Sequence, residues 1–156
     1  MLDACADRPD IHVLIKPWAG DSLREVRAAA STIESAKLHV LDPSAAPLHN
    51  GELLAHALAV VSSPTSFLAE FAVMGGVPFL LSFNETHFYH GRKLHDLYTS
   101  FCHVITDAAQ LGQALRRLLA NPNTVEPYLE DRLSAVGRLF GPSDGHSADR
   151  LTAALR

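Results

Sequence analysis

Between two apolar runs lies the chain's densest cluster of hydroxyls, Ser62-Ser63-Pro64-Thr65-Ser66. Serine is a good N-cap, and proline at a first helical position gives up an N–H that would be unbonded anyway. The cluster is therefore expected at a helix N-terminus, where free backbone N–H groups and the positive dipole end meet Ser62, Ser63, Thr65 and Ser66. Such a place seats a phosphate or diphosphate. Glu70 follows Ser66 by one helical turn on the same face and is placed to accept hydrogen bonds from ribose hydroxyls. Lys16, at the end of the apolar run IHVLIK, adds a cation. Each residue also has a plainer reading: the hydroxyls start an ordinary helix, Glu70 is a solvated carboxylate and Lys16 closes a strand.

The elements that must position these residues follow from periodicity. Leu58 to Val61 is a short branched apolar run, as in a buried strand. Phe67, Phe71 and Met74 recur at helical spacing, Gly75-Gly76 stops the helix, and Val77 to Ser82 is a second apolar strand. The result is a βαβ unit. Upstream, Ile11 to Lys16 and Lys37 to Leu41 read as strands around a helix from about Leu23 to Ile33, and a short helix covers Glu52 to His56. Downstream, Asn84 to Tyr98 reads as a polar loop running into a short helix, and His103 to Thr106 as a fifth strand. Ala108 to Ala120 is helical by its Leu111, Leu115, Leu118 stripe. Leu129, Leu133, Val136 and Phe140 mark another helix, and a last one starts near Ser147.

Five strands separated by helices predict a Rossmann-like three-layer α/β/α sandwich with a mostly parallel five-stranded sheet, a single domain over residues 1–156. Ligands of such sheets bind beyond the strand carboxyl ends, where strand order reverses. With the order 2-1-3-4-5, Lys16-Pro17-Trp18 would face Ser62 to Ser66 across one crevice. Trp18, the only tryptophan, would stack a base or sugar there, or belong to a core or interface.

Other chemistries are disfavoured. Of nine histidines, only His87, His90 and His95 cluster; their spacing fits no zinc pattern, and no metal is expected. No catalytic residue is fixed by the sequence; His87, His90 and Arg92, in a loop of the kind where catalytic groups sit, are the candidates, through contact with a donor sugar or phosphate. GxSxG, GxGxxG and GxxxxGK[ST] patterns are missing, as is the acidic strand-end pocket of a receiver domain. A net charge of −4 without basic runs argues against nucleic acid. The 47% hydrophobic and 19% charged content is that of a globular domain. No apolar stretch reaches the roughly 18 residues of a membrane helix, and the amino-terminal residues lack the features of a signal peptide. Cys5 and Cys102 form no CxxC pair and suggest a reducing compartment, the cytoplasm.

The pattern of apolar strand, Ser-Ser-Pro-Thr-Ser, Glu70 and Met74-Gly75-Gly76-Val77-Pro78 resembles the nucleotide-binding, carboxyl-terminal half of GT-B glycosyltransferases and the related UDP-N-acetylglucosamine 2-epimerases. The capsule and teichoic-acid transferases (polysialyltransferase-like, CDP-glycerol glycerophosphotransferase-like) are most similar. IKPWAG stands where those families have a strand ending in Lys-Pro-His-Pro, with Trp18 in place of the histidine. GPSDGHSADRLTAAL is similar to their Asp-Gly-x-Ala-Ser-x-Arg ending. The resemblance implies that Ser63, Thr65 and Ser66 hold donor phosphates, with Ser62 beside them, that Glu70 holds the ribose and that Lys16 adds charge. Asp144, Gly145 and Arg150 would shape the closing segment.

It further implies a nucleotide-activated sugar or CDP-polyol as donor substrate and no separate cofactor. The chain would be a fragment lacking the amino-terminal acceptor domain, inactive or weakly active alone. Peripheral membrane association would run through the missing parts, and homo-oligomer formation is left open. A nucleotide-sugar 2-epimerase domain is the alternative among enzymes; a non-catalytic α/β interaction or regulatory module is the alternative of another class.

Overall fold

The structure is a computed structural model. It describes all residues except 1, 6, 19, 43, 45–48, 83–87, 90–91, 122–128, 143, 147–148, 151–152 and 154–156, and only the backbone of 2, 88–89, 92–95, 129–130 and 139–140. After a 3₁₀ turn at Leu2–Cys5 come β1 (Val13–Ile15), α1 (Leu23–Ser31), β2 (Leu38–Val40), α2 (Asn50–His56), β3 (Ala59–Ser62) and α3 (Ser66–Val73). They are followed by β4 (Val77–Leu81), β5 (Phe88–Tyr89), β6 (Arg92–Lys93), α4 (Leu94–Tyr98), β7 (His103–Ile105), α5 (Ala108–Ala120) and α6 (Leu129–Phe140). The terminal helix expected from Ser147 is described only at Asp149, Arg150 and Ala153, which are helical.

Local chemistry sets the element ends. Ser22 caps α1 by accepting the Glu25 N–H, and Asp107 caps α5 by accepting the Gln110 N–H at 2.8 Å. At α3 the cap is Thr65, extended at φ −156°, whose hydroxyl accepts the Phe67 N–H. Pro64 therefore precedes the helix rather than occupying its first turn. At the other end Gly76 N–H reaches the Phe71 carbonyl at 3.0 Å and Gly75 N–H the Ala72 carbonyl at 3.1 Å. This is the Schellman closure, and it needs the left-handed φ of +84° that Gly75 adopts. A Cβ on Gly76 would stand 2.3 Å from the Phe71 ring, so only glycine lets the chain turn so closely over that side chain.

All five expected strands form, and their ladders are parallel, but they do not make one sheet. Among the described residues β3-β4-β7 is one three-stranded sheet and β1-β2 a separate pair, with Val13 opposite Leu38 and Ala59 opposite Val77. The five-stranded sheet is thus corrected to a two-plus-three arrangement. Each strand of the pair is three residues long and offers few ladder bonds. On the side where β3 was expected, β1 faces a cavity, and Leu14 stays 49% exposed. The Asn84 to Tyr98 loop is also corrected, since β5 and β6 pair antiparallel within it.

The three-stranded sheet is covered on both faces. Leu68, Phe71 and Ala72 of α3, Ala135 and Val136 of α6, and Leu80 of β4 form one buried cluster with Tyr98 and Phe101. Val77 and Phe79 of β4, Ile105 of β7, and Leu111, Leu115 and Leu118 of α5 form the other. Alternation along β4 sends Phe79 and Leu80 to opposite faces, as a two-sided buried strand requires.

Candidate functional site

The carboxyl ends of β1 and β3 and the amino ends of α2 and α3 converge on a cavity of about 1110 Å³. Its wall includes Lys16, Pro17 and Trp18 after β1, Asn50 at the start of α2, Ser62 at the end of β3 and Thr65 just before α3. Ser66 and Phe67, in the first turn of α3, complete that side. The crevice that should set Lys16-Pro17-Trp18 against the hydroxyl cluster is therefore present, even though no ladder joins β1 to β3.

Lys16 is fixed by two contacts. Its Nζ donates to Asn50 Oδ1 and lies 5.1 Å from the centre of the Phe67 ring. These contacts bring the ammonium to the first residue of α2 and the second of α3. Three sources of positive potential, one full charge and two helix amino ends, meet at one wall. Glu52 also lines the cavity, where its carboxylate accepts the His49 N–H at 3.0 Å. The Trp18 turn is pinned by Asp21, whose carboxylate accepts the Trp18 N–H at 2.8 Å. The indole lies over Gly20, where a Cβ would come within 2.4 Å of the ring. Trp18 is nonetheless 77% exposed, an aromatic surface open at the cavity wall.

The remaining candidates are placed differently. Ser63 and Glu70 are exposed and stand outside the cavity lining. His87 and His90 lie outside the described residues, and Arg92 is described only as backbone in β6. Asp144 and Arg150 clasp each other, with Arg150 Nη1 at 3.0 and 2.8 Å from the two carboxylate oxygens, and this holds the Asp144 carboxyl below its ordinary range. Arg150 Nη2 also donates to the Pro142 carbonyl, so the pair folds the segment back on itself. Among the described residues no group of three or more His, Cys, Asp or Glu could hold a metal ion.

Asn50 and Phe67, which hold Lys16, are lining residues that sequence reasoning passed over. Phe67 carried a core signal through its helical spacing, and Asn50 stood two residues before the expected helix start. The arrangement can bind an anion at Lys16 and the α3 end, with a flat ring system against Trp18.

Fold and crevice define an α/β protein with parallel ladders, and among the described residues no helix is long and apolar enough to cross a membrane. The chain matches no protein-family model, no curated protein and no solved structure.

Proposed function

We propose that the chain is the donor-binding domain of a GT-B-type glycosyltransferase, transferring a sugar or polyol phosphate from a nucleotide-activated donor, with surface polysaccharide synthesis as its setting. The observation that carries this reading is the convergence of Lys16 and the amino ends of α2 and α3 on one large cavity. A nucleoside diphosphate has the matching parts. Its phosphates suit Lys16 and the first turn of α3, and its base suits the open face of Trp18. A volume of about 1110 Å³ accommodates such a ligand with its sugar.

In this reading the chain's contribution is electrostatic. Charge that develops on the leaving nucleotide is met by the Lys16 ammonium and by amides already oriented at a helix end. Glu70 stands outside the cavity lining, and its assignment to the ribose hydroxyls rests on the resemblance. The general base that activates the acceptor would come from the acceptor domain implied by the resemblance, which fits a domain that binds donor but turns it over slowly by itself. A cytoplasmic setting, where activated nucleotides are made, belongs to the same proposal.

Titration with UDP, CDP and CMP, followed by calorimetry and by Trp18 fluorescence, tests the assignment. One nucleotide is expected to bind in the micromolar-to-millimolar range and change the Trp18 emission. Lack of response to all three would leave a non-catalytic α/β module. Glu70→Ala is expected to weaken a nucleoside diphosphate more than pyrophosphate, and an equal loss would remove the ribose assignment.

A further inference from the structure

At the opposite, amino-terminal ends of the strands lies a second cavity, of about 300 Å³, walled by Arg132, His103, Cys102, Thr99 and Ser100 with Asp131 beside them. Arg132, from α6, is only 4% exposed. Buried guanidinium groups are normally paired with a carboxylate, because an isolated charge in a low-dielectric interior is costly. Arg132 has no such partner within 4.0 Å among the described residues. Its Nη1 donates to the Gly76 carbonyl at 3.0 Å, and its Nε–H has no acceptor among the described residues. Gly76 lies just past the carboxyl end of α3, so the negative end of that helix offers a fraction of a countercharge.

The neighbouring groups do not supply the rest. Burial pushes the Cys102 thiol up to about 12, so it is not a thiolate at neutral pH. Burial, and then the Arg132 charge, push His103 down, which keeps its imidazole neutral. The hydroxyls of Thr99 and Ser100 donate to the Asp96 and Leu97 carbonyls at 2.9 and 3.1 Å, so their protons are already committed. What faces the cavity, among the described residues, is a cation without a counter-ion, a neutral imidazole able to donate one hydrogen bond, and in Asp131 an exposed negative neighbour that would repel an anion.

We propose that this cavity is a site for one small oxyanion, a carboxylate or phosphate group, seated against the Arg132 guanidinium and hydrogen-bonded by His103. The guanidinium fork matches the planar or tetrahedral oxygens of these groups. One guanidinium and one imidazole suit a single oxyanion rather than a diphosphate. The site lies away from the Lys16 crevice and does not depend on the donor reading.

The test uses the full chain at constant ionic strength, with chloride as control, and titrates inorganic phosphate and acetate separately while recording NMR spectra. Binding of either is expected to move the His103 ring resonances, and the anion that does so identifies the chemistry. Arg132→Gln is expected to weaken this response by at least about tenfold. Asp131→Asn, which removes the nearby negative charge without touching the buried cation, is expected to tighten it by roughly two- to fivefold. If Arg132→Gln fails to fold, the Asp131→Asn result decides. The proposal is overturned if neither anion moves His103 beyond the chloride control, if Arg132→Gln keeps the wild-type affinity, or if Asp131→Asn leaves binding unchanged. Nucleotide binding in the crevice is read separately at the Trp18 indole, so the two sites succeed or fail independently.

Discussion

Lys16 has an exposed side chain held by Asn50 and Phe67, and its charge is the part of the crevice a diphosphate would feel most. Lys16→Met keeps the aliphatic stem over Phe67 and removes the ammonium. Nucleoside diphosphate affinity is expected to fall by about tenfold, from the loss of one charge-assisted hydrogen bond, with little change in thermal stability. Unchanged affinity by calorimetry would place the phosphates elsewhere. Cys102 is the reverse case, a residue whose inertness follows from its surroundings. With its thiol pushed up to about 12 and the side chain buried, it is expected to react with iodoacetamide at neutral pH far more slowly than an exposed thiol. Mass spectrometry of the labelled native protein checks this, and rapid modification at Cys102 would show that the pocket opens. Lys16 and the hydroxyl cluster were legible because residue type and strand-end position carry their meaning. Arg132 was not, since nothing in the α6 sequence says whether Arg132 or Arg138 is the buried arginine.

At the scale of the element, the α3–β4 connection depends on two glycines for different reasons. Gly75→Ala forces a β-carbon into the left-handed region and is expected to cost about 1–2 kcal/mol. Gly76→Ala drives a Cβ into the Phe71 ring and is expected to cost about 1–3 kcal/mol through displacement of that side chain. Urea denaturation of the two variants measures both, and a neutral Gly76→Ala would mean that the ring moves aside freely. The helices show where periodicity is reliable. On α5 the stripe Leu111, Leu115, Leu118 is buried as its spacing predicts. On α6 the spacing nominated Leu133, yet Leu133 is 40% exposed while Arg132, Ala135 and Val136 are buried. On this face Arg132 is held by the Gly76 carbonyl just past α3, a tertiary contact that the spacing of leucines does not announce.

For the whole molecule, acid sensitivity should follow from His103. Its folded pKa lies below the ordinary 6.5, through burial first and the Arg132 charge second. The unfolded chain therefore takes up that proton first. Stability from this group is complete above about pH 7 and falls as pH drops through 6.5 to the lower folded value. His103→Gln is expected to flatten this part of the stability–pH profile in thermal melts; an unaltered slope would assign the effect to other histidines. The carboxylates of half-buried Asp42 and exposed Asp144, lowered from 3.8 by Ser44 and Arg150 respectively, act in a separate window. Their stabilisation is present above 3.8 and lost as pH falls through their lower folded values.

Local sequence by itself determined the five parallel strands and the helices between them, though not β5 and β6, as well as where α5 begins and α3 stops, and that hydroxyls would stand at a helix start. Those features depend on caps, glycines and periodicity within a few neighbouring residues. Only the tertiary structure decided that β1 and β3 stand apart around a cavity, that Asn50 and Phe67 hold Lys16, and that Arg132 is enclosed without a carboxylate among the described residues. Each of these joins segments distant in the chain, where pairing depends on competing packing arrangements, and no local pattern encodes the outcome.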